Sequence, residues 1–203
     1  MSVIILKRPV TKLPAATGII AAAVALLMFL PIASLPVLAD IELFGGNPLL
    51  EAIKANDPQR VETAIANGES KEVQDFDRRR PLIYAALLGS IEIVELLLKK
   101  SVAVNHQDKL GNSALFYAAS QGDSEIAEML IDAGAKTDLN NRQGITPLMA
   151  AAKLGHLDVA QLLLSKGADP NVRDYTGRTA LMWAEWNRKA SLARVLRSAT
   201  TRK

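Results

Sequence analysis

The sequence repeats itself every 33 residues. A leucine recurs at this spacing in five successive copies, and an alanine follows each leucine three positions later. The leucines are Leu49, Leu82, Leu115, Leu148 and Leu181, and the alanines are Ala52, Ala85, Ala118, Ala151 and Ala184. A unit of this length buries too little apolar surface to fold alone and must stack on its neighbours. The pattern therefore predicts a stack of similar units, an architecture that usually serves binding rather than catalysis.

The fourth copy, residues 141–173, indicates how each unit folds. Thr146 is a suitable N-cap and Pro147 suits the first turn of a helix, so a helix is expected to begin there. Gly155 can end this short helix in a left-handed conformation. A second helix is then expected to fill the space between units with Val159, Leu162 and Leu163.

This copy resembles the ankyrin repeat, because it contains Thr-Pro-Leu, Ala-Ala, Gly-His, a leucine run and Gly-Ala-Asp-x-Asn at the spacings of that family. The resemblance implies an all-α solenoid of about five helix-turn-helix repeats, joined by β-hairpin or loop fingers and closed by polar capping repeats. The repeat domain is predicted at 47–203, with repeats at about 47–74, 75–107, 108–140, 141–173 and 174–203.

The residues before the repeats have the composition of a leader. Basic residues near the start precede an apolar run at 19–30, and short side chains precede a candidate cleavage site between Ala39 and Asp40. This layout predicts a signal peptide at 1–39 followed by a junction at 40–46, and hence a periplasmic or secreted protein. Residues 19–39 are also long and apolar enough for an uncleaved anchor, which would leave the repeats outside the cytoplasm on a single inner-membrane span.

Few residues in the chain could support catalysis. It contains no cysteine and only two histidines, His106 and His156, which fall in different parts of the repeat. We therefore predict no metal site, no cofactor and no enzymatic activity. Without the three basic residues of the leader, 21 basic residues face 21 acidic ones, and no nucleic-acid-binding motif is present, so a nucleic-acid partner is not expected.

Ankyrin proteins bind chiefly through the finger tips and the exposed side of the first helices, so the resemblance assigns candidate partner-binding residues here. At and beside the tips these are Phe76, Asp77, Arg79, Leu110, Ile145, Tyr175 and Arg178. At the exposed ends of the first helices they are Leu87, Leu88, Leu154 and Trp186. The alternative for the three leucines is that they cover neighbouring repeats. Aromatic and arginine side chains supply most interface hot spots, which favours Tyr175, Arg178 and Trp186 as an anchor.

One position inside the array departs from the repeat. Arg78-Arg79-Arg80 occupies the place that Gly111-Asn112-Ser113 holds one repeat later, so an arginine stands where a left-handed glycine is expected. A left-handed conformation costs a non-glycine residue roughly 1–2 kcal/mol. The run is either a relaxed turn with solvated arginines or a contact for an anion or carboxylate.

The leader together with the repeat number looks like that of small exported bacterial ankyrin proteins, some of which are associated with catalase activity. The expectation is an exported, monomeric, non-catalytic scaffold that binds a protein of unknown identity and supports or protects an envelope partner such as a stress-response enzyme. The alternatives are an adaptor anchored in the inner membrane, whose only membrane contact is the leader, and a secreted effector.

Overall fold

The computed structural model describes residues 46–201, so the predicted leader at 1–39, its cleavage site and nearly all of the junction lie outside the described residues. The described part contains ten helices and no strand. They are α1 Pro48–Lys54, α2 Pro58–Ala66, α3 Pro81–Leu88, α4 Ile91–Lys99, α5 Ala114–Gln121, α6 Ser124–Asp132, α7 Pro147–Leu154, α8 Leu157–Ser165, α9 Ala180–Trp186 and α10 Ala190–Thr200. The prediction of an all-α solenoid is confirmed, and the connections between repeats are loops.

Each repeat contributes one helix pair. The odd-numbered helices, called the first helices below, pack beside one another along the stack, and the even-numbered second helices form a parallel layer behind them. A two-residue connection joins α7 to α8, which suits antiparallel neighbours. We call residues 75–80, 108–113, 141–146 and 174–179 the fingers, because each is a tight loop that precedes a first helix.

Helix ends follow the signals in the sequence. The Thr146 hydroxyl accepts the backbone N–H of Met149 at 3.3 Å, and Pro147 occupies the first turn of α7. Gly155 ends that helix with φ of 91°. At the first repeat, the side chain of Asn47 accepts the backbone N–H of Leu49 at 3.0 Å. The predicted start and end of α7 are therefore confirmed.

The repeating columns form the core. All five alanines are at most 1% exposed, and four of the five leucines are at most 3% exposed, whereas Leu181 of the last repeat is half-buried. The second helices add Val159 and Leu163, both fully buried, while Leu162 is half-buried and packs against the core. Small alanines let the helices of neighbouring repeats approach closely, so burial depends on stacking.

The last repeat ends in a polar outer surface. Glu185 stands where the preceding first helix has the buried Ala152, and Arg197 stands where the preceding second helix has Leu164. The Nη2 atom of Arg197 lies 2.6 Å from Oε1 of Glu185, so the two side chains form an ion pair across α9 and α10. The prediction that the terminal repeat replaces apolar side chains by polar ones is confirmed.

Candidate functional site

Each finger is folded around an acidic or amide side chain at its base, which is half-buried in the second repeat and buried in the other three. In the third repeat, Oδ1 of Asp108 accepts the backbone N–H groups of Leu110 at 2.8 Å and Asn112 at 2.9 Å. Asp108 is only 3% exposed. Gly111 takes the left-handed conformation that the turn requires, and a Cβ there would lie 2.7 Å from the backbone nitrogen of Arg142 in the next finger. The third finger therefore needs glycine at this position for conformation and for space.

A side-chain hydrogen bond fastens three of the fingers to the first helix of the same repeat. An aromatic donor on the helix reaches the second oxygen of the carboxylate at the finger base. The bonds join Tyr84 to Asp75 at 2.6 Å, Tyr117 to Asp108 at 2.6 Å and Trp183 to Asp174 at 2.9 Å. Because these groups are buried or half-buried, the bond holds the finger at a fixed position on the stack.

In the second and fifth repeats these bonds change the pKa of the carboxyl group that accepts them. Burial alone would raise the pKa of Asp75, but hydrogen bonds from Tyr84 and from backbone N–H groups outweigh it, and the pKa lies below the ordinary value. The pKa of Asp174 is lowered for the same reasons, against burial and with bonds from Thr176, Trp183 and backbone amides. Burial, together with the carboxylate acceptor, raises the pKa of the tyrosine hydroxyl in Tyr84.

The sequence interpretation missed this set of bonds, although a signal for it exists. Tyr84, Tyr117 and Trp183 occupy one column of the 33-residue repeat, and an aspartate precedes each of them by nine positions. The fourth repeat carries Ala150 in that column, and Asn141 replaces the aspartate nine positions earlier. The donor and the charged acceptor are thus absent from the same repeat, which indicates that they act as a pair.

Backbone hydrogen bonds join the fingers into a continuous row. Each bond runs from the second residue of one finger to the third residue of the finger before it. The three bonds join the N–H of Lys109 to the carbonyl of Asp77 at 2.7 Å, that of Arg142 to Leu110 at 3.0 Å and that of Tyr175 to Gln143 at 3.1 Å. The tips are therefore held in register along the stack. We call the fingers together with the first helices the finger face, and the second helices the outer face.

Several of the residues predicted to bind a partner lie exposed on the finger face. Phe76 is fully exposed, Tyr175 is 74% exposed, Trp186 is 71% exposed and Leu110 is 60% exposed. Leu88 and Leu154 expose nearly half of their surface, whereas Leu87 and Ile145 are half-buried, and Ile145 packs against the core. The alternative reading, in which the three leucines cover neighbouring repeats, thus fits Leu87 better than Leu88 and Leu154. Met182, 44% exposed on α9, is a further apolar residue that the sequence interpretation missed.

Arginine and aromatic side chains meet at the last repeat. The guanidinium carbon of Arg178 lies 4.9 Å from the ring centre of Trp186 and 5.2 Å from that of Trp183. The Nζ atom of Lys153 lies 5.1 Å from the ring centre of Trp183. These distances are within the range of cation–π attraction, so Arg178 and Lys153 stabilise the positions of the two tryptophan rings. Arg178 and Trp186, predicted together, are in contact, while Trp183 is a structural neighbour that the sequence interpretation did not single out.

The arginine run of the second repeat makes contacts within the chain. Arg78 has φ of 61°, which confirms that an arginine takes the left-handed position of the glycine. Nη2 of Arg79 lies 3.4 Å from Oδ2 of Asp77, and Arg80 pairs with Glu72. Two of the three arginines thus already contact carboxylates of this protein.

The two histidines stabilise loops and helix ends. Nε2–H of His156 donates to the carbonyl of Ser120 at 2.9 Å, and Nε2–H of His106 donates to the carbonyl of Arg78 at 2.9 Å. Burial lowers the pKa of His106, and the neighbouring charges of Arg80 and Arg78 lower it further, against the bond to the Arg78 carbonyl. His106 is half-buried, and its bond to the Arg78 carbonyl ties the end of the second repeat to the finger of the same repeat.

Charge is divided between the two faces. On the outer face the second helices of the first four repeats carry two exposed basic residues, Arg60 and Lys99, against the exposed acidic residues Glu62, Glu92, Glu95, Glu125, Glu128, Asp132 and Asp158. On the finger face the basic residues are Lys54, which pairs with Glu51 of the same helix, and Arg78, Arg79, Arg80, Lys109, Arg142, Lys153 and Arg178. Asp77 and Glu185 on that face each pair with an arginine. The finger face therefore combines positive charge with exposed apolar side chains.

Within residues 46–201, no group of three or more histidine, cysteine or acidic side chains could hold a metal ion. In the same range, none of the helices is both long and apolar enough to cross a lipid bilayer. The predictions of a leader, an exported location and a catalase-associated role stay predictions.

Comparison with protein families assigns the repeats. A family model described as ankyrin repeats in three copies matches residues 49–141 and, in a second overlapping match, residues 115–202. The two matches together cover most of the chain and nearly all of the described part. A search of curated proteins found no match to this sequence. The sequence resemblance to ankyrin repeats is therefore confirmed, and the comparison carries no information about a particular partner.

Proposed function

Because the chain belongs to the ankyrin-repeat family, we propose that it is a protein-interaction scaffold that binds its partner on the finger face. The row of exposed apolar and aromatic side chains on that face carries the proposal. Of the eight large apolar side chains that are exposed in the described residues, seven lie on fingers or first helices, and Ile91 alone begins a second helix. An apolar row of this kind on a soluble repeat stack is typical of a binding surface.

The last repeat is the proposed anchor. Trp186 and Tyr175 are largely exposed. Arg178 lies against the Trp186 ring and forms no ion pair within the described residues. Aromatic and arginine side chains in such a cluster gain contact area at low entropic cost when a partner covers them. Each anchor residue would contribute about 2 kcal/mol, which corresponds to about a thirtyfold change in dissociation constant.

The test is photo-crosslinking in the native cell envelope. A photoreactive amino acid placed at Tyr175 should capture a partner, whereas the same amino acid at Gln161, exposed on the outer face, should not. Trp186→Ala should weaken capture about thirtyfold and leave the thermal unfolding midpoint nearly unchanged. Equal capture from the two positions, or an equal loss of capture and stability in Trp186→Ala, would contradict the proposal.

Trp183→Ala is the matched comparison on the same helix. Trp183 is half-buried and donates to Asp174, so its loss should lower the unfolding midpoint as well as capture. Trp186 makes no such bond within residues 46–201, and the two variants should therefore separate binding from folding.

We further propose that the scaffold acts outside the cytoplasm, where it supports or protects an envelope partner. The support for this location is the leader-like pattern of residues 1–39. A mature protein whose N-terminal sequence begins at Asp40 would establish cleavage and release. The apolar stretch 19–39 favours the second candidate, an adaptor anchored in the inner membrane, which predicts a mature protein that retains these residues and sediments with the membrane.

A further inference from the structure

The fourth repeat leaves open a space that an aromatic ring would occupy in its neighbours. Ala150 stands in the column of Tyr84, Tyr117 and Trp183, and it lines a pocket of about 480 Å³ on the finger face. The pocket lies between the third and fourth fingers and first helices. Its volume is within the range of about 300–1,000 Å³ that is typical of ligand pockets. The missing side chain thus coincides with a binding-sized cavity.

The walls of this pocket are apolar. Leu110, Phe116, Ile145 and Leu154 line it from both repeats. All but Ile145 and Phe116 have substantial exposure in the free protein. Covering such surface with an apolar group gains free energy roughly in proportion to the area removed from water. The occupant must therefore present an apolar side chain.

The amide groups at the base of the pocket are already satisfied within the protein. Nδ2 of Asn141 donates to Oδ1 of Asn112 at 3.0 Å, and Nδ2 of Asn112 lies 3.2 Å from the hydroxyl of Tyr117. Oδ1 of Asn141 accepts the backbone N–H groups of Gln143 and Ile145. Both amide oxygens and one N–H of each amide are thus engaged within the protein, which disfavours a nucleobase edge as occupant.

The rim of the pocket is basic. Arg142 and Lys153 line it, both are exposed, and none of its lining residues is acidic. Neighbouring Arg178 and Lys109 extend the positive charge along the finger face. This arrangement is complementary to a segment that carries carboxylates on either side of an apolar side chain.

We infer that the pocket receives an aromatic side chain from an acidic segment of the partner protein. The inference rests on the proposed function of the finger face and adds a chemical class for what binds there. The partner's ring takes the place that Tyr117 and Trp183 fill from within their own repeats. Its flanking carboxylates lie against Arg142 and Lys153.

The test uses the full-length chain and a short acetylated peptide that has one phenylalanine between glutamates. Binding should shift the amide resonances of Ser120, Ala150 and Leu154 and leave that of Gln161 on the outer face unchanged. A peptide with alanine in place of phenylalanine should bind about tenfold more weakly, as loss of a buried aromatic contact predicts. A peptide with glutamines in place of the glutamates should also bind more weakly, and should lose its dependence on salt concentration.

A self-filled variant provides the decisive comparison. Ala150→Tyr combined with Asn141→Asp recreates the pair that fixes the third finger, so the chain should keep its thermal midpoint and fill its own pocket. Peptide binding should fall about tenfold or more, whereas Gln161→Tyr, which adds the same ring to the outer face, should bind like the unaltered chain.

Three results would overturn the inference. They are unchanged peptide binding by the self-filled variant, equal binding of the alanine and phenylalanine peptides, and resonance shifts on the outer face. Equally tight binding of a single-stranded oligonucleotide at the pocket would replace the proposed class of occupant. If Tyr175 still captures a partner in the envelope while the pocket test fails, the proposed function stands and only this inference is lost.

Discussion

The third and fourth repeats have fingers of the same backbone geometry, but different bonds hold them. The third finger is tied to its own repeat, because Tyr117 on α5 donates to Asp108 at the finger base. The fourth finger is tied to the previous one, because the side chain of Asn141 donates to that of Asn112. One bond spans nine residues of sequence and the other spans 29.

This difference shows how a repeat can give up an internal bond without losing its finger. Asn141 still accepts two backbone N–H groups, as Asp108 does, so the loop keeps its shape. The helix side of the finger no longer needs an aromatic donor, and Ala150 leaves space there. The fourth repeat thus keeps its finger although it lacks the aromatic side chain, and the pocket beside Ala150 stays open on the finger face.

The largest effect is expected when the acceptor of the third finger is removed. Asp108→Ala would leave the N–H groups of Leu110 and Asn112 and the hydroxyl of Tyr117 without their acceptor. We expect a loss of about 3 kcal/mol in the free energy of unfolding, measured by urea denaturation with circular dichroism. Lys109→Ala, at the neighbouring exposed position, is the control and should change it little. A loss below about 1 kcal/mol for Asp108→Ala would show that water replaces the carboxylate.

Removing only the aromatic hydroxyl should cost less. Tyr117→Phe keeps the ring but leaves one oxygen of buried Asp108 without its donor, and we expect a loss of about 1.5 kcal/mol. Tyr175→Phe removes a hydroxyl from an exposed ring and should leave the free energy of unfolding unchanged. Equal effects in the two variants would mean that the bond between Tyr117 and Asp108 contributes nothing to stability.

Exchange of the acceptor in the fourth repeat tests whether donor and acceptor act as a pair. Asn141→Asp replaces the amide that donates to Asn112 by an oxygen, so two acceptors would face each other and the chain should lose stability. Adding Ala150→Tyr supplies the donor found in the third repeat and should restore it. We expect a favourable coupling of about 1 kcal/mol in the double-mutant cycle. If the two changes in stability were strictly additive, residues 141 and 150 would act independently of each other.

Much of the fold follows from the sequence, because its signals are local or periodic. Thr146 and Pro147 mark a helix start, Gly155 marks its end, and the column that includes Ala151 predicts where helices meet. These features depend on backbone conformation and side-chain size, which a residue type determines directly. Leu181 is half-buried, unlike the rest of its column, because no further repeat covers it within residues 46–201.

The candidate site could be predicted only in part. Tyr175 and Trp186 are exposed as expected, since nothing in the repeat pattern assigns them to the core. The bond between Trp183 and Asp174 was missed, because it depends on how a side chain reaches across to the finger base. The pocket beside Ala150 arises from the absence of a side chain, and a single copy of the repeat cannot reveal it. Comparison between repeats could have found both features.

The smallest expected effect is that of acid, and it separates the fourth repeat from the fifth. Hydrogen bonds overcome burial to lower the pKa of Asp174, so in the unfolded chain this carboxyl takes up its proton at a higher pH than in the native protein. Its stabilising contribution is therefore complete above the ordinary value of 3.8 and is lost as the pH falls through the lower native pKa. Asn141 does not titrate, and the fourth finger should keep its bond at every pH in this range.

The indole N–H of Trp183 reports this titration directly, because it donates to Asp174 at 2.9 Å. In a proton-detected pH series, its resonance should move with a midpoint below 3.8, while that of exposed Trp186 should stay nearly constant. The side-chain amide of Asn141 should also stay constant until the protein unfolds. A Trp183 midpoint at or above 3.8 would mean that burial outweighs the hydrogen bonds at this finger. In that case the aspartate and asparagine acceptors would differ only in the geometry of their hydrogen bonds.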